Sequence, residues 1–162
     1  MVVCERPRIL YFTSYPHHTF QIECVYNMFH GLTKVPLKSY MNALLRRESP
    51  QSKYASYELK QMLNIRKHLP LIVNQQTILF PIQNKRAPIQ YFVNGLEIIG
   101  LKQERYTTRL IFKNGVQLVV NAHYSFVHRK WLECIFLHFI TFHDADSVSY
   151  THLRAHETRH DL

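Results

Sequence analysis

His152, His156 and His160 stand at i, i+4 and i+8, a spacing that on a helix stacks three imidazoles on one face and could chelate zinc. The doublet His17-His18 suits metal binding less well, because neighbouring side chains of an extended segment point to opposite faces, and a surface turn accounts for it. Cys4, Cys24 and Cys134 are odd in number and widely spaced, so they propose neither a disulfide frame nor a zinc knuckle; Cys24 and Cys134 read as small buried hydrophobes. None of the four glycines precedes a Lys-Ser/Thr pair, which removes a phosphate loop and with it nucleotide hydrolysis. Before residue 144 there is no aspartate, and seven singly placed glutamates disfavour paired-carboxylate and magnesium chemistry. A Cys-His nucleophile pair would have to meet in space, and nothing local marks one.

Basic residues supply the stronger signal. Arg46-Arg47, Arg66-Lys67, Lys85-Arg86 and Arg129-Lys130 are doublets, and Lys102, Arg105, Arg109 and Lys113 surround a predicted hairpin. Residues 1–143 hold 18 Lys+Arg against 7 Glu, a net +11, whereas residues 144–162 hold two arginines against four acids, a net −2. Such an excess invites a polyanion. All three aspartates lie in the last 19 residues, and 149–158 (Ser-Tyr-Thr-His-Leu-Arg-Ala-His-Glu-Thr) resembles translated sequencing-library adapter. The histidine ladder therefore belongs to a tail, 144–162, expected to be non-native and disordered, and residues 1–143 form the expected single domain. Chemistry in that domain calls for no metal and no cofactor.

Ten Tyr, ten Phe and one Trp in 162 residues are enough for a packed core. No apolar run approaches the roughly 20 residues that span a bilayer, and the first residues lack the order of a secretory signal, so a cytoplasmic protein without membrane contact is expected. Alternation places strands at 8–13 and 20–26, with Pro16-His17-His18 as the turn between them. Leu37, Tyr40, Met41, Leu44 and Leu45 recur at helical spacing after Pro36, predicting a helix over 37–47. Ser52 can cap a second helix running to about 66, with Ala55, Leu59, Met62 and Leu63 inward. Strands then follow at 69–74, 77–82, 91–93, 96–101, 107–112 and 116–120. Asn114-Gly115 suits a tight two-residue hairpin turn. A last helix over 125–140 could form one apolar face from Phe126, Trp131, Cys134, Ile135, His138 and Phe139. The expected class is α+β: an antiparallel sheet with two short helices before the main strands and a C-terminal helix.

From about 34 to 137 this order of elements resembles the competence transcription factor (ComK) family. The matching residues are Val35-Pro36-Leu37, Ser52-Lys53-Tyr54, Leu69-Pro70-Leu71-Ile72-Val73, Ile78-Leu79-Phe80-Pro81-Ile82, Arg86 and Pro88 of the polar loop, Tyr91-Phe92-Val93-Asn94, and Ile111-Phe112-Lys113-Asn114-Gly115. The chain departs from the family at Ser56-Tyr57, where a Gly-Arg pair is usual, lacks the Cys and Trp around the third strand, and carries Arg129-Lys130 where the final helix has other polar residues. It resembles a divergent member.

That resemblance implies a DNA-binding activator of DNA-uptake (competence) genes that self-associates as a homo-oligomer, recognises A·T-rich double-stranded boxes through the minor groove, and has a protease adaptor as a further partner. Narrow A-tract minor grooves attract Arg and Lys, so the composition is compatible. The residues expected to touch DNA are Lys85 and Arg86 on the polar loop and Arg105, Arg109 and Lys113 around the hairpin. Two other readings stay open on the residues: an interaction protein that has lost DNA binding and pairs with an acidic partner or a related regulator, and a small basic nuclease.

Overall fold

The computed structural model describes residues 6–15, 21–47, 54–82 and 89–143. Its elements are β1 (Ile9–Ser14), β2 (Ile22–Tyr26), β3 (His30–Thr33), α1 (Leu37–Arg47), α2 (Ser56–Met62), β4 (Leu71–Asn74), β5 (Thr77–Ile82), β6 (Gln90–Asn94), β7 (Ile98–Gln103), β8 (Thr108–Phe112), β9 (Gln117–Val120) and α3 (Tyr124–Phe142). The expected α+β class is thus observed, with α1 and α2 ahead of the later strands and a closing helix. Among the described residues no helix is long and apolar enough to cross a membrane.

Six strands form one antiparallel sheet in the order β3-β2-β1-β6-β5-β4, and β7-β8-β9 form a second. The larger sheet is covered on both faces, which is why β5 reads as a nearly continuous apolar run. On one side Phe12, Ile22, Cys24, Val73 and Leu79 pack against Leu37, Tyr40, Met41 and Leu44 of α1. The Phe12 ring stacks on Phe92 at 4.7 Å and meets Tyr40 edge-on at 5.0 Å. On the other side Ile78, Phe80, Ile82 and Val93 pack with Leu110 and Phe112 of the second sheet and with Val127, Cys134 and Leu137 of α3. A bulge in β1 between Ile9 and Tyr11 turns Leu10 into this second core while Ile9 stays in the first.

One buried side chain pins the junction. Asn94 accepts from the backbone N–H groups of Ile78 (3.1 Å) and Leu96 (3.2 Å) and donates to the carbonyls of Ile9 (2.8 Å) and Gln76 (2.9 Å). All four hydrogen-bonding positions of the amide are used, so it holds β1, the β4–β5 turn and the one-turn 3-10 helix Gly95–Glu97 together. The next residue, Gly95, lies against α3 so closely that an added Cβ would stand 2.5 Å from Cys134 Cβ. Cys134 is fully buried with its Sγ 3.7 Å from the Ile78 carbonyl, and burial pushes its thiol above the ordinary range. Cys24 is buried as well and shifted the same way for the same reason.

Four expectations need correction. The second helix begins at Ser56, with Ala55 as its N-cap, and ends at Met62; Ala55 and Met62 face solvent while Leu59 is buried. Leu96 belongs to the 3-10 turn, so the strand predicted from it starts at Ile98. The hairpin after β8 is a three-residue loop: Gly115 N–H donates to Phe112 O, Phe112 N–H donates to Val116 O, and only Gly115 has positive φ (+88°). A type I turn followed by a left-handed glycine closes such a loop, so Asn114 needs no unusual backbone. Finally, α3 buries Val127, Lys130, Glu133, Cys134 and Leu137, and leaves Ile135 and Phe139 exposed. Pro16, His17, His18 and Ser52 lie outside the described residues, as does the whole segment 144–162.

Candidate nucleic-acid interface

The loop after α2 is aimed by a helix stop. Asn64 takes a left-handed φ of 54°, Ile65 N–H donates back to Lys60 O (2.8 Å) and Asn64 N–H to Gln61 O (3.3 Å), the paired bonds of a Schellman cap. Ile65 is buried as the chain leaves the helix, which turns Arg66, Lys67 and His68 to the surface. Across from them α3 presents Phe126, Arg129, Lys130 and Glu133. The two walls enclose a groove of about 570 Å³ floored by Phe80, Pro81 and Pro70.

Two of the four basic doublets therefore meet in space, although 63 residues separate Arg66 from Arg129. Their members play different parts. Lys130 is buried, and its Nζ donates to Glu133 Oε2 (2.9 Å) and to the His68 carbonyl (3.2 Å), which fastens the loop to the helix. Glu133, the groove's carboxylate, is thereby occupied from below. Arg129 is exposed, its Nε 3.9 Å from Glu133 Oε1 and its guanidinium 5.9 Å from the Phe126 ring centroid, within cation–π range. Arg66 and Lys67 are exposed on the opposite wall. Three cations beside the exposed Pro81 and the half-buried Phe126 can take a phosphodiester on the rim while the apolar edge of a sugar rests against them.

The hairpin residues expected to touch DNA are placed less favourably. Arg105 lies exposed in the turn between β7 and β8. Arg109 is held by Glu104, Nε to Oε1 2.6 Å, and donates to Gln117 Oε1 at 3.1 Å; the Arg109 bond in turn holds the Glu104 carboxyl below its usual range. Lys102 pairs in register with Arg109, so these two cations share a face with one carboxylate between them and the turn. Lys113 sits past the other end of β8, with Nζ 3.9 Å from Oε2 of the buried Glu97, which also takes Arg8 Nε at 2.6 Å. Arg105 and Lys113 are thus at opposite ends of one hairpin and do not converge. Lys85 and Arg86 lie outside the described residues.

In the sequence Arg66-Lys67 and Arg129-Lys130 stand as separate doublets. No local pattern links residue 66 to residue 129; the aromatic and proline residues Phe80, Pro81 and Phe126 that complete the groove were legible only as strand and helix positions. Among the described residues there is no group of three His, Cys, Asp or Glu that could hold a metal ion. Compared with known proteins, the chain matches no family model, no curated protein and no solved structure.

Proposed function

We propose that this chain binds duplex DNA, with the groove between the Arg66–His68 loop and α3 taking the phosphate backbone. The observation that carries the reading is the convergence of Arg66, Lys67 and Arg129 beside Pro81 and Phe126, with the local carboxylate already paired to Lys130. A net +11 over residues 1–143 supports it through long-range attraction. The resemblance to the competence transcription factors supports the finer reading: a cytoplasmic activator of DNA-uptake genes that recognises A·T-rich promoter boxes, with Arg105, Lys85 and Arg86 as further contacts, and that binds rather than catalyses.

A gel shift with A·T-rich and G·C-rich duplexes of equal length tests it. Complexes with both, tighter on the A·T-rich duplex, are the expected result; cleavage of either duplex on adding a divalent metal would select a nuclease instead. A second reading, an interaction protein that pairs with another chain, is favoured by the apolar outward face of α3 and predicts a complex with neither duplex.

A further inference from the structure

Helix α3 has two apolar faces, and among the described residues only one of them is covered. Val127, Cys134 and Leu137 enter the core, while Leu132, Ile135, Phe136 and Phe139 are 38, 42, 52 and 64% exposed. These four lie at i, i+3, i+4 and i+7, a single stripe down the outside of the helix. His128 and His143 continue it at the two ends, stacked on Tyr124 and Phe139 at 5.6 and 5.2 Å. None of the six stripe residues is Lys, Arg, Asp or Glu. A surface helix with a charge-free outer face is unusual, because an outward stripe ordinarily carries the polar side chains.

We propose that this stripe pairs with the same stripe of a second copy, the two α3 helices running antiparallel about a two-fold axis between Ile135 and Phe136. The stripe reads the same in both directions about that point. Leu132 faces Phe139 of the partner, Ile135 faces Phe136, and His128 faces His143. The Leu132–Phe139 and Ile135–Phe136 contacts each set an aliphatic side chain against an aromatic ring. Charge selects the orientation. A parallel copy would bring Arg129 beside Arg129 in a chain that is already strongly basic, whereas the antiparallel copy sets them about 20 Å apart along the axis, beyond the screening length of about 8 Å at physiological salt. The groove is on the flank of α3 that carries Phe126, Arg129 and Glu133, so pairing leaves it open. With four apolar side chains per copy the interface is small, and association is expected to be weak and reversible.

The test is sedimentation velocity on the full chain, followed by cysteine cross-linking. Wild type is expected to pass from monomer to dimer between about 1 and 100 µM, the range of a small interface. The variant Phe136→Asp/Phe139→Asp should stay monomeric at 100 µM or about that level, with an unchanged circular dichroism spectrum because both positions are exposed. In a Cys4→Ser background, Ile135→Cys should form a disulfide-linked dimer on mild oxidation, since each Cys lies close to its own mate. Leu132→Cys should not, its mate being about 10 Å further along the axis, too far to be bridged. A wild type that is monomeric throughout, a dimer that survives the double Asp variant, or cross-linking of Leu132→Cys as efficient as that of Ile135→Cys would each overturn the proposal.

Discussion

Lys130 and Glu133 are paired at 2.9 Å inside the wall of the basic groove, and the same Nζ reaches the His68 carbonyl at 3.2 Å. A doublet that reads as two equivalent cations is thus divided: Arg129 faces outward and Lys130 builds the wall. Removing one partner of a buried pair leaves the other uncompensated. Lys130→Met is expected to destabilise the fold by about 3 kcal/mol, whereas Arg129→Ala should cost under about 0.5 kcal/mol. Urea unfolding measures both. DNA binding should rank them the other way at a temperature where both variants are folded, and a Lys130→Met protein of full stability would refute the division.

Gly95 is required for its lack of a side chain rather than for its backbone angles. A Cβ there would lie 2.5 Å from Cys134 Cβ and 2.6 Å from its Sγ, so α3 would have to move. Gly95→Ala should destabilise by about 1–3 kcal/mol, the usual range for overpacking. Adding Cys134→Ala removes the sulfur and leaves the Cβ contact, so the double variant should recover only part of the loss. Thermal unfolding of the two single variants and the double variant checks this, and full recovery would show that the close approach is relieved elsewhere.

Asn94 offers a prediction in pH. In Asn94→Asp the atom that replaces Nδ2 faces the carbonyl oxygens of Ile9 and Gln76, so burial and those dipoles must raise the pKa of the new carboxyl. A raised native-state pKa gives stability that is fully present below the unfolded value, about 3.9, and is lost as pH rises through the native one. The gap in Tm between Asn94→Asp and wild type should therefore widen from pH 4 to pH 7. A gap that narrows over that interval would mean that the amide does not make the bonds described.

The left-handed residue Asn64 aims the Arg66–His68 loop. Asn64→Gly should keep the cap and leave stability within about 0.5 kcal/mol, while Asn64→Val should lose about 1–2 kcal/mol, because a branched side chain resists positive φ. If the loop carries phosphate contacts, Asn64→Val should also weaken DNA binding, by fluorescence anisotropy, and Asn64→Gly should not. Equal affinities for the two variants would separate the loop from binding.

Much of this architecture is legible in short-range patterns. The period-two alternation that opens the segment 20–26 and the helical spacing of Leu37, Tyr40, Met41 and Leu44 each report a local preference that the tertiary structure keeps in β2 and α1, and Gly115 takes the positive φ expected of it although its loop has three residues. His30–Thr33 escapes such a reading, because a four-residue strand containing Gly31 has little β propensity and forms by pairing with β2. Ser52 reads as a cap with Ala55 on the inward face, yet α2 starts at Ser56 after an extended Ala55. On α3 the apolar residues occupy both sides, so periodicity alone cannot choose the buried stripe; contact with Gly95 chooses it. The candidate site is legible as ingredients and not as a place. Arg66-Lys67 and Arg129-Lys130 stand out by charge, but only the docking of α3 beside the α2 cap brings them together. The hairpin cations looked more coherent in sequence than in space, since Glu104 occupies Arg109 and Glu97 lies beside Lys113.

The central claim is that the α2–α3 groove binds DNA phosphates, and the salt dependence of affinity addresses it most directly. On an A·T-rich duplex, log K should fall steeply with log salt for wild type, with a slope of about −0.9 for each phosphate neutralised. Arg66→Ala/Lys67→Ala/Arg129→Ala should weaken binding and reduce that slope by about 2–3, while Arg109→Ala, already occupied by Glu104, should leave it almost unchanged. A triple variant with wild-type affinity and slope would contradict the account.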